Sequence, residues 1–254
     1  MQAGNARKSS ARTMRISRAA LALAIGALLA AAVAGPGHRT GLWDYQGGFA
    51  ILGIASLCAL TACVLGIVAF VRGGSRLART LALAASLIGL LVAGLPLQQL
   101  YLAKSLPLIH DISTDTADPP PFVAVVPLRV DAPNPVAYQG EQAARLQRDA
   151  YPQVAPRFYP AGRQAVFDAA LALSRARGWA VHAAEPAEGR IEASATSAWF
   201  GFVDDLVIRV ADSPQGTRVD MRSKSRVGRS DLGANARRIE AFLADLDAAV
   251  GRAP

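Results

Sequence analysis

Three stretches of this chain carry no Asp, Glu, Lys, Arg or His: Ala19 to Ala34, Gly48 to Val71 and Leu81 to Leu100. The second and third hold 24 and 20 residues. At about 1.5 Å of rise per residue each reaches roughly 30 Å or more, enough to cross the hydrocarbon core of a bilayer. The first, with 16 residues, is short for a span. Inside lipid every backbone N–H and C=O must find an internal partner, so the three runs are expected to be helices. Small residues such as Gly53, Ala55, Gly66, Ala84, Ala85 and Gly89 suit close helix packing. The missing charges argue against an ion or proton pathway built from these runs, since such pathways use buried ionisable groups.

Charge divides the chain in two. Up to Ala103 there are nine Lys or Arg and one acid, Asp44; from Lys104 onward eighteen basic residues face eighteen acidic ones. The whole surplus of +8 therefore belongs to the apolar half. A nucleic-acid binder carries its surplus on the folded domain, as a patch that neutralises phosphates, and here that domain is neutral. No nucleic-acid partner is expected. The bases sit instead at the ends of the apolar runs: Arg7, Lys8, Arg12, Arg15 and Arg18 before the first, and Arg72, Arg76 and Arg79 between the second and third. Basic loops resist translocation. The expected topology is a cytoplasmic N-terminus, three helices in the cytoplasmic (inner) membrane, and everything after Leu100 on the periplasmic side. Trp43, Tyr45 and Tyr101 fall where interfacial aromatics belong.

A competing reading takes the first run as a cleavable leader ending near Ala32-Val33-Ala34. The next two helices keep their orientation either way. Leu60-Thr61-Ala62-Cys63 imitates a lipoprotein cleavage box, but it lies inside a continuing apolar run, so lipidation there is not expected. Both cysteines, Cys58 and Cys63, are in that run, and disulfides therefore do not hold the C-terminal half together.

The expected organisation is a basic tail (1–18), a three-helix membrane region (19–103) and an extracytoplasmic domain (104–254). That domain opens with a Pro-rich segment (106–161), in which Phe122 to Val126 reads as a strand and Glu141 to Ala150 as a short helix. Next, Val166, Phe167, Ala170, Leu171 and Leu173 recur at helical spacing and stop at Gly178. Four strand candidates follow: Trp179 to Ala184, Arg190 to Ala198, Leu206 to Ala211 and Thr217 to Lys224. A final helix runs from about Leu232 to Val250, with Ile239, Phe242, Leu243, Leu246 and Val250 as its apolar stripe. The alternation in the last two strands sets Val210 opposite Val219 across a Ser213-Pro214-Gln215-Gly216 loop. Arg209 then faces Asp220 on the outer, solvated face, a pair expected to contribute under about 1 kcal/mol. The fold class is α+β: two layers, an antiparallel sheet of about five strands with two helices on one face, helix-grip-like by topology alone.

Three segments carry a family resemblance: Ile109 to Asp115, Trp199 to Asp205, and Ser225 to Asn235. In this order they resemble the bacterial domain-of-unknown-function family number 1499, over about His110 to Leu246. The resemblance implies an uncharacterised envelope-associated domain, often behind membrane helices, with no established catalytic mechanism to carry over.

His110, Asp111, Asp115 and Asp118 lie close in sequence, as a cation site or an acid/base group would. Their spacing fits no known metal loop and suits turn formation and capping. No metal and no cofactor are expected. Arg226, Arg229, Ser230 and Asp231 precede the last helix, whose free amides attract anions, although Ser230 or Asp231 can cap those amides internally. Trp199, with Phe200, Phe202, Asp204 and Asp205, surrounds Gly201; adjacent Trp and Phe point to opposite faces of a strand, so one can be left exposed to a partner or membrane surface. His182 reads as a lone strand histidine. The leading expectation is a non-enzymatic, membrane-anchored binding or interaction domain whose partner is an anionic envelope ligand or a protein. The alternative is a hydrolase-like periplasmic enzyme using His110, Asp111 and Asp115 with Arg226 or Arg229.

Overall fold

The computed structural model describes residues 2–251; the side chains of Arg7 and Lys8 lie outside what it describes. The chain forms two compact units, Met1–Tyr101 with Ala198–Gly201, and Leu102–Ser197 with Phe202–Pro254.

The first unit is helical: α1 (Gln2–Arg39), α2 (Tyr45–Arg72) and α3 (Arg76–Ser105). All three are long and apolar enough to cross a membrane. Their burial pattern is the inverse of a water-soluble bundle. Buried positions hold small residues: Ala20, Ala24 and Ala27 on α1, Ala55, Ala59, Ala62 and Gly66 on α2, and Ala82, Ala85 and Gly89 on α3. The large side chains, Leu57, Val64 and Leu90 among them, point outward. Lipid tails are as apolar as leucine, so such helices associate through close backbone packing. The alternating spacing of three and four residues keeps the small-residue seam on one face, as in a left-handed coil. A Cβ on Gly66 would stand 2.6 Å from Ala82 O, and one on Gly89 would collide with Ala59 O. Phe200, from the Ala198–Gly201 segment of this unit, is buried against Phe49, ring centroids 5.0 Å apart, while Trp199 keeps 43% of its surface exposed. Gly201 follows a turn at 198–200 and has φ +72°.

The second unit is α+β. Its elements are β1 (Asp111–Ser113), a 3-10 turn (Val126–Arg129), α4 (Glu141–Ala150), β2 (Arg157–Tyr159), α5 (Arg163–Ala176), β3 (Ala180–Glu185), β4 (Arg190–Thr196), β5 (Val203–Ser213), β6 (Gly216–Ser225) and α6 (Ala234–Val250). The sheet is antiparallel in the order β1-β6-β5-β4-β3, and β2 pairs the other half of the same edge of β6. Val210 does pair Val219 and Arg209 does pair Asp220, but that register extends to Ser213 opposite Gly216, so only Pro214 and Gln215 form the turn.

On one face Ile112, Ile191, Leu206, Ile208, Val210, Val219 and Met221 meet Phe167 of α5 and Ile239, Phe242 and Leu243 of α6 in the main core. Trp179 stacks on Phe242 at 5.3 Å. Two expectations need correction. Phe122 to Val126 is not a strand: it runs as a turn into the 3-10 turn, where Pro127 lacks the N–H that a ladder needs. The outer face of the sheet is not solvated either. The Pro-rich segment lies over it, with Phe122 and Val125 buried against Val207 and partly against Val136. A stretch this long without regular structure is tolerated in a compact domain where it has a surface to cover.

Candidate functional site

The covered face of the sheet is made of charge. Alternation places Arg218, Asp220, Arg222 and Lys224 of β6 on it, and Arg226 just beyond the strand, with Asp205 and Arg209 of β5, Glu192 of β4 and Asp111 of β1. Asp111, Glu192, Asp205 and Lys224 are fully buried. A buried charge is tolerable only when paired and hydrogen-bonded, so the partners are the test of this site.

Each carboxylate has its partners within the fold. Asp111 receives Arg222 Nε and Nη2, both at 2.9 Å, and Lys224 Nζ at 2.9 Å. Arg222 also donates to Pro120 O and Val136 O and lies over the Phe122 ring, 4.7 Å from its centroid. Asp205 receives four donors: Arg129 Nη1 at 2.5 Å, Arg226 Nε and Nη2 at 2.9 and 2.8 Å, and Ser194 Oγ at 2.6 Å. Burial pushes the Asp205 carboxyl up, but bonds from Arg226 and Ser194, the Arg226 charge and the Arg129 bond together hold it below the usual carboxylate range. The pKa of Lys224 lies below that of a free lysine: burial is the largest cause, and the neighbouring Arg222 and Arg129 charges add to it against the charge and bond of Asp111.

Glu192 holds the cover down. Its two oxygens accept the consecutive N–H groups of Val123, Ala124 and Val125, each at 3.0 Å, and pair with Arg190. Successive backbone N–H groups converging on one carboxylate form an anion-binding concavity, here filled by the protein's own side chain. Farther along, Arg209 and Arg218 share Asp115 and Asp220. Asp115 Oδ1 accepts the N–H groups of Ala117 and Asp118, closing the turn into the prolines.

The backbones of the His110 and Ser225 segments meet. Ser225 N donates to His110 O at 2.9 Å, and Asp231 N to Ile109 O at 3.2 Å. Buried Asn235 joins them: its Nδ2 donates to His110 O and Ser225 Oγ, and its Oδ1 accepts Ser223 Oγ and Arg238 Nη1. The side chains named as catalytic do not share this meeting point. Asp111 bonds Arg222 and Lys224 while Asp115 bonds Arg218, four residues along β6 and so roughly 13 Å away. As the neighbour of Asp111 in an extended segment, His110 points to the opposite side. It is buried, with Nδ1 3.4 Å from Gln139 Nε2 and Nε2 without a partner among the described residues. Burial lowers its pKa, outweighing the nearby main chain of Arg229. His182 Nε2 lies 2.8 Å from Ser194 Oγ, at the end of the Asp205 network.

The residues named as ligand-binding are distributed as follows. Arg226 is bidentate on Asp205, and Asp204 pairs Arg238 at 2.6 Å. Asp231 caps α6, accepting Gly233 N and Asn235 N at 2.9 and 2.7 Å; burial raises its pKa despite those bonds. Ser230 Oγ donates to Pro107 O. Trp199 belongs to the first unit. Arg229 is exposed and forms no ion pair among the described residues. Among those residues, no group of three or more His, Cys, Asp or Glu is placed to hold a metal ion.

Arg129, Glu192, Ser194 and Asn235, which tie these networks together, are not among the site residues expected from the sequence. The available signal was an excess: four charges alternating along β6 and continued at Arg226, in a chain that also carries a Pro-rich segment (106–161). A family model described as protein of unknown function (DUF1499) matches residues 111–246. No curated protein matches the chain.

Proposed function

From the premise that the chain belongs to this DUF1499 family, whose function is unknown, we propose that it is a membrane-anchored, non-catalytic binding or interaction domain. In this reading residues 1–18 are a cytoplasmic basic tail, 19–103 hold the three helices in the cytoplasmic membrane, and 104–254 work on the extracytoplasmic side. The arginines flanking the apolar runs support that orientation. The packing of Ala20, Ala24 and Ala27 in the helical unit favours retention of the first helix over its removal as a leader.

The observation that carries the non-catalytic reading is the self-neutralised charge layer. Asp111 and Asp115, the acids of the hydrolase-like alternative, each accept several internal donors, as does Asp205. A general base needs a free lone pair within reach of substrate, and His110, whose Nε2 is without a partner among the described residues, is buried away from solvent. Of the two arginines named for an anionic ligand, Arg226 is held by Asp205 and Arg229 is exposed on the loop before α6.

Two experiments test this. A reporter fused after Pro254 should work only outside the cytosol; activity confined to the cytosol sinks the orientation. The full chain in lipid nanodiscs should be stabilised by an anionic headgroup or acidic glycan, with the gain lost in Arg229→Ala and kept in Gln215→Ala. Stabilisation that survives Arg229→Ala removes the anion site.

A further inference from the structure

At the C-terminal end of β6 the second unit presents an exposed aliphatic surface. Val126, Leu128 and Val130 are at least 40% exposed, Val130 reaching 80%, and Pro127 and Pro133 are exposed beside them. Arg129, the one base in this run, turns inward to Asp205. The turn therefore shows its apolar side chains to the outside and hides its charge, the reverse of a solvated turn.

This surface is continuous with the entry to the domain. Asn134 N donates to Arg226 O at 3.1 Å and Asn134 Nδ2 to Gly228 O at 2.9 Å, joining the aliphatic run to the loop after β6. Ser230 Oγ donates to Pro107 O at 3.2 Å, joining that loop to Leu108, itself 58% exposed. Leu108 stands three residues after Ser105, where α3 ends, so at most about 11 Å of chain separates it from a membrane-spanning helix. Asp131 and Arg229 are both exposed nearby, one charge of each sign.

We propose that this end of the domain, through Leu108, Val126, Leu128 and Val130, lies in the interfacial layer of the bilayer that holds the helices. Protein-binding surfaces concentrate their energy in aromatic and arginine anchors, and the aliphatic run has none exposed. A contiguous apolar surface marks a partner or a membrane, and the tether keeps a bilayer permanently within reach of this one. The inference rests on α3 spanning the membrane and is independent of which side the domain occupies.

The test uses the full chain with Cys58→Ala and Cys63→Ala, reconstituted in phosphatidylcholine nanodiscs. A bimane label is placed in turn at Val130→Cys, at Gln215→Cys in the opposite turn of the sheet, and at Leu87→Cys on the outer face of α3. With lipids brominated near the top of the acyl chain, emission should be lost at 87 and 130 and kept at 215, and iodide should quench 215 far more than 130. Loss at 87 without loss at 130 overturns the proposal and leaves the spanning helix intact. Shielding of 130 from iodide without bromine quenching indicates a second copy on this surface and overturns it equally. No loss at 87 shows instead that the premise of a spanning helix has failed.

Discussion

Replacing Asp205 with alanine should cost the second unit more than any exposed ion pair would. Its carboxylate is fully buried and accepts Arg129, Arg226 twice, and Ser194. Without it Arg226, whose side chain is 21% exposed, can turn to water. Arg129 cannot, because its side chain is at 0%, and only the carbonyls of Lys224, Asn134 and Ser225 remain to it. Stranding one partner of a buried pair costs about 3–5 kcal/mol, which is roughly a hundredfold to a few thousandfold in the unfolding equilibrium. Hydrogen exchange of the β5 and β6 amides, in the full chain in nanodiscs, reads that change directly. A loss under about 1 kcal/mol would refute the assignment of Asp205 as the hub of a buried network. Arg129→Met added to Asp205→Ala should recover most of the loss, because removing both partners leaves no stranded charge. A double variant no more stable than the single one removes the stranded guanidinium as the cause. The pH dependence has a defined sign. The folded pKa of Asp205 is depressed, so its contribution is complete above the unfolded value near 4 and is lost as pH falls below it through the folded pKa. The gap between wild type and Asp205→Ala should therefore narrow only below about pH 4.

Glu192→Gln should release the cover: amide exchange at Val123, Ala124 and Val125 should accelerate while β5 stays protected, and unchanged exchange there would show that Glu192 does not clamp the segment. His110 is held neutral by burial, so protonation favours the unfolded chain and stability should fall as pH drops below about 6.5; His110→Gln should flatten the profile just below that pH, and an unchanged slope would count against this. Asp111→Ala, which strands Arg222 and Lys224, should destabilise by about 3–5 kcal/mol, and Lys224→Met by clearly less, since Arg222 still neutralises Asp111; equal losses by hydrogen exchange would contradict the pairing. Gly89→Leu forces a side chain where even a Cβ meets Ala59 O; overpacking of this kind costs about 1–3 kcal/mol, read as a lower detergent-denaturation midpoint, and a neutral result would remove the close α2–α3 approach.

What the sequence determines here is what depends on local order. The apolar runs dictate helices because lipid offers no backbone partners. The alternation of Leu206, Ile208 and Val210 against Val219 and Met221 dictates the β5–β6 register because a one-residue slip would turn the core outward. Alternation also says which residues share a face, but it is silent on what covers that face. Arg209 and Asp220 read as an exposed pair from their order alone, and nothing in it marks the neighbouring Arg222 and Lys224 as buried. Only the tertiary structure sets the Pro-rich segment over them, with Arg129 meeting Asp205 across 76 positions and Val123 meeting Glu192 across 69. Such partners are set by long-range packing and leave no periodic trace. The same charges are therefore a surface in the sequence and an interior in the fold.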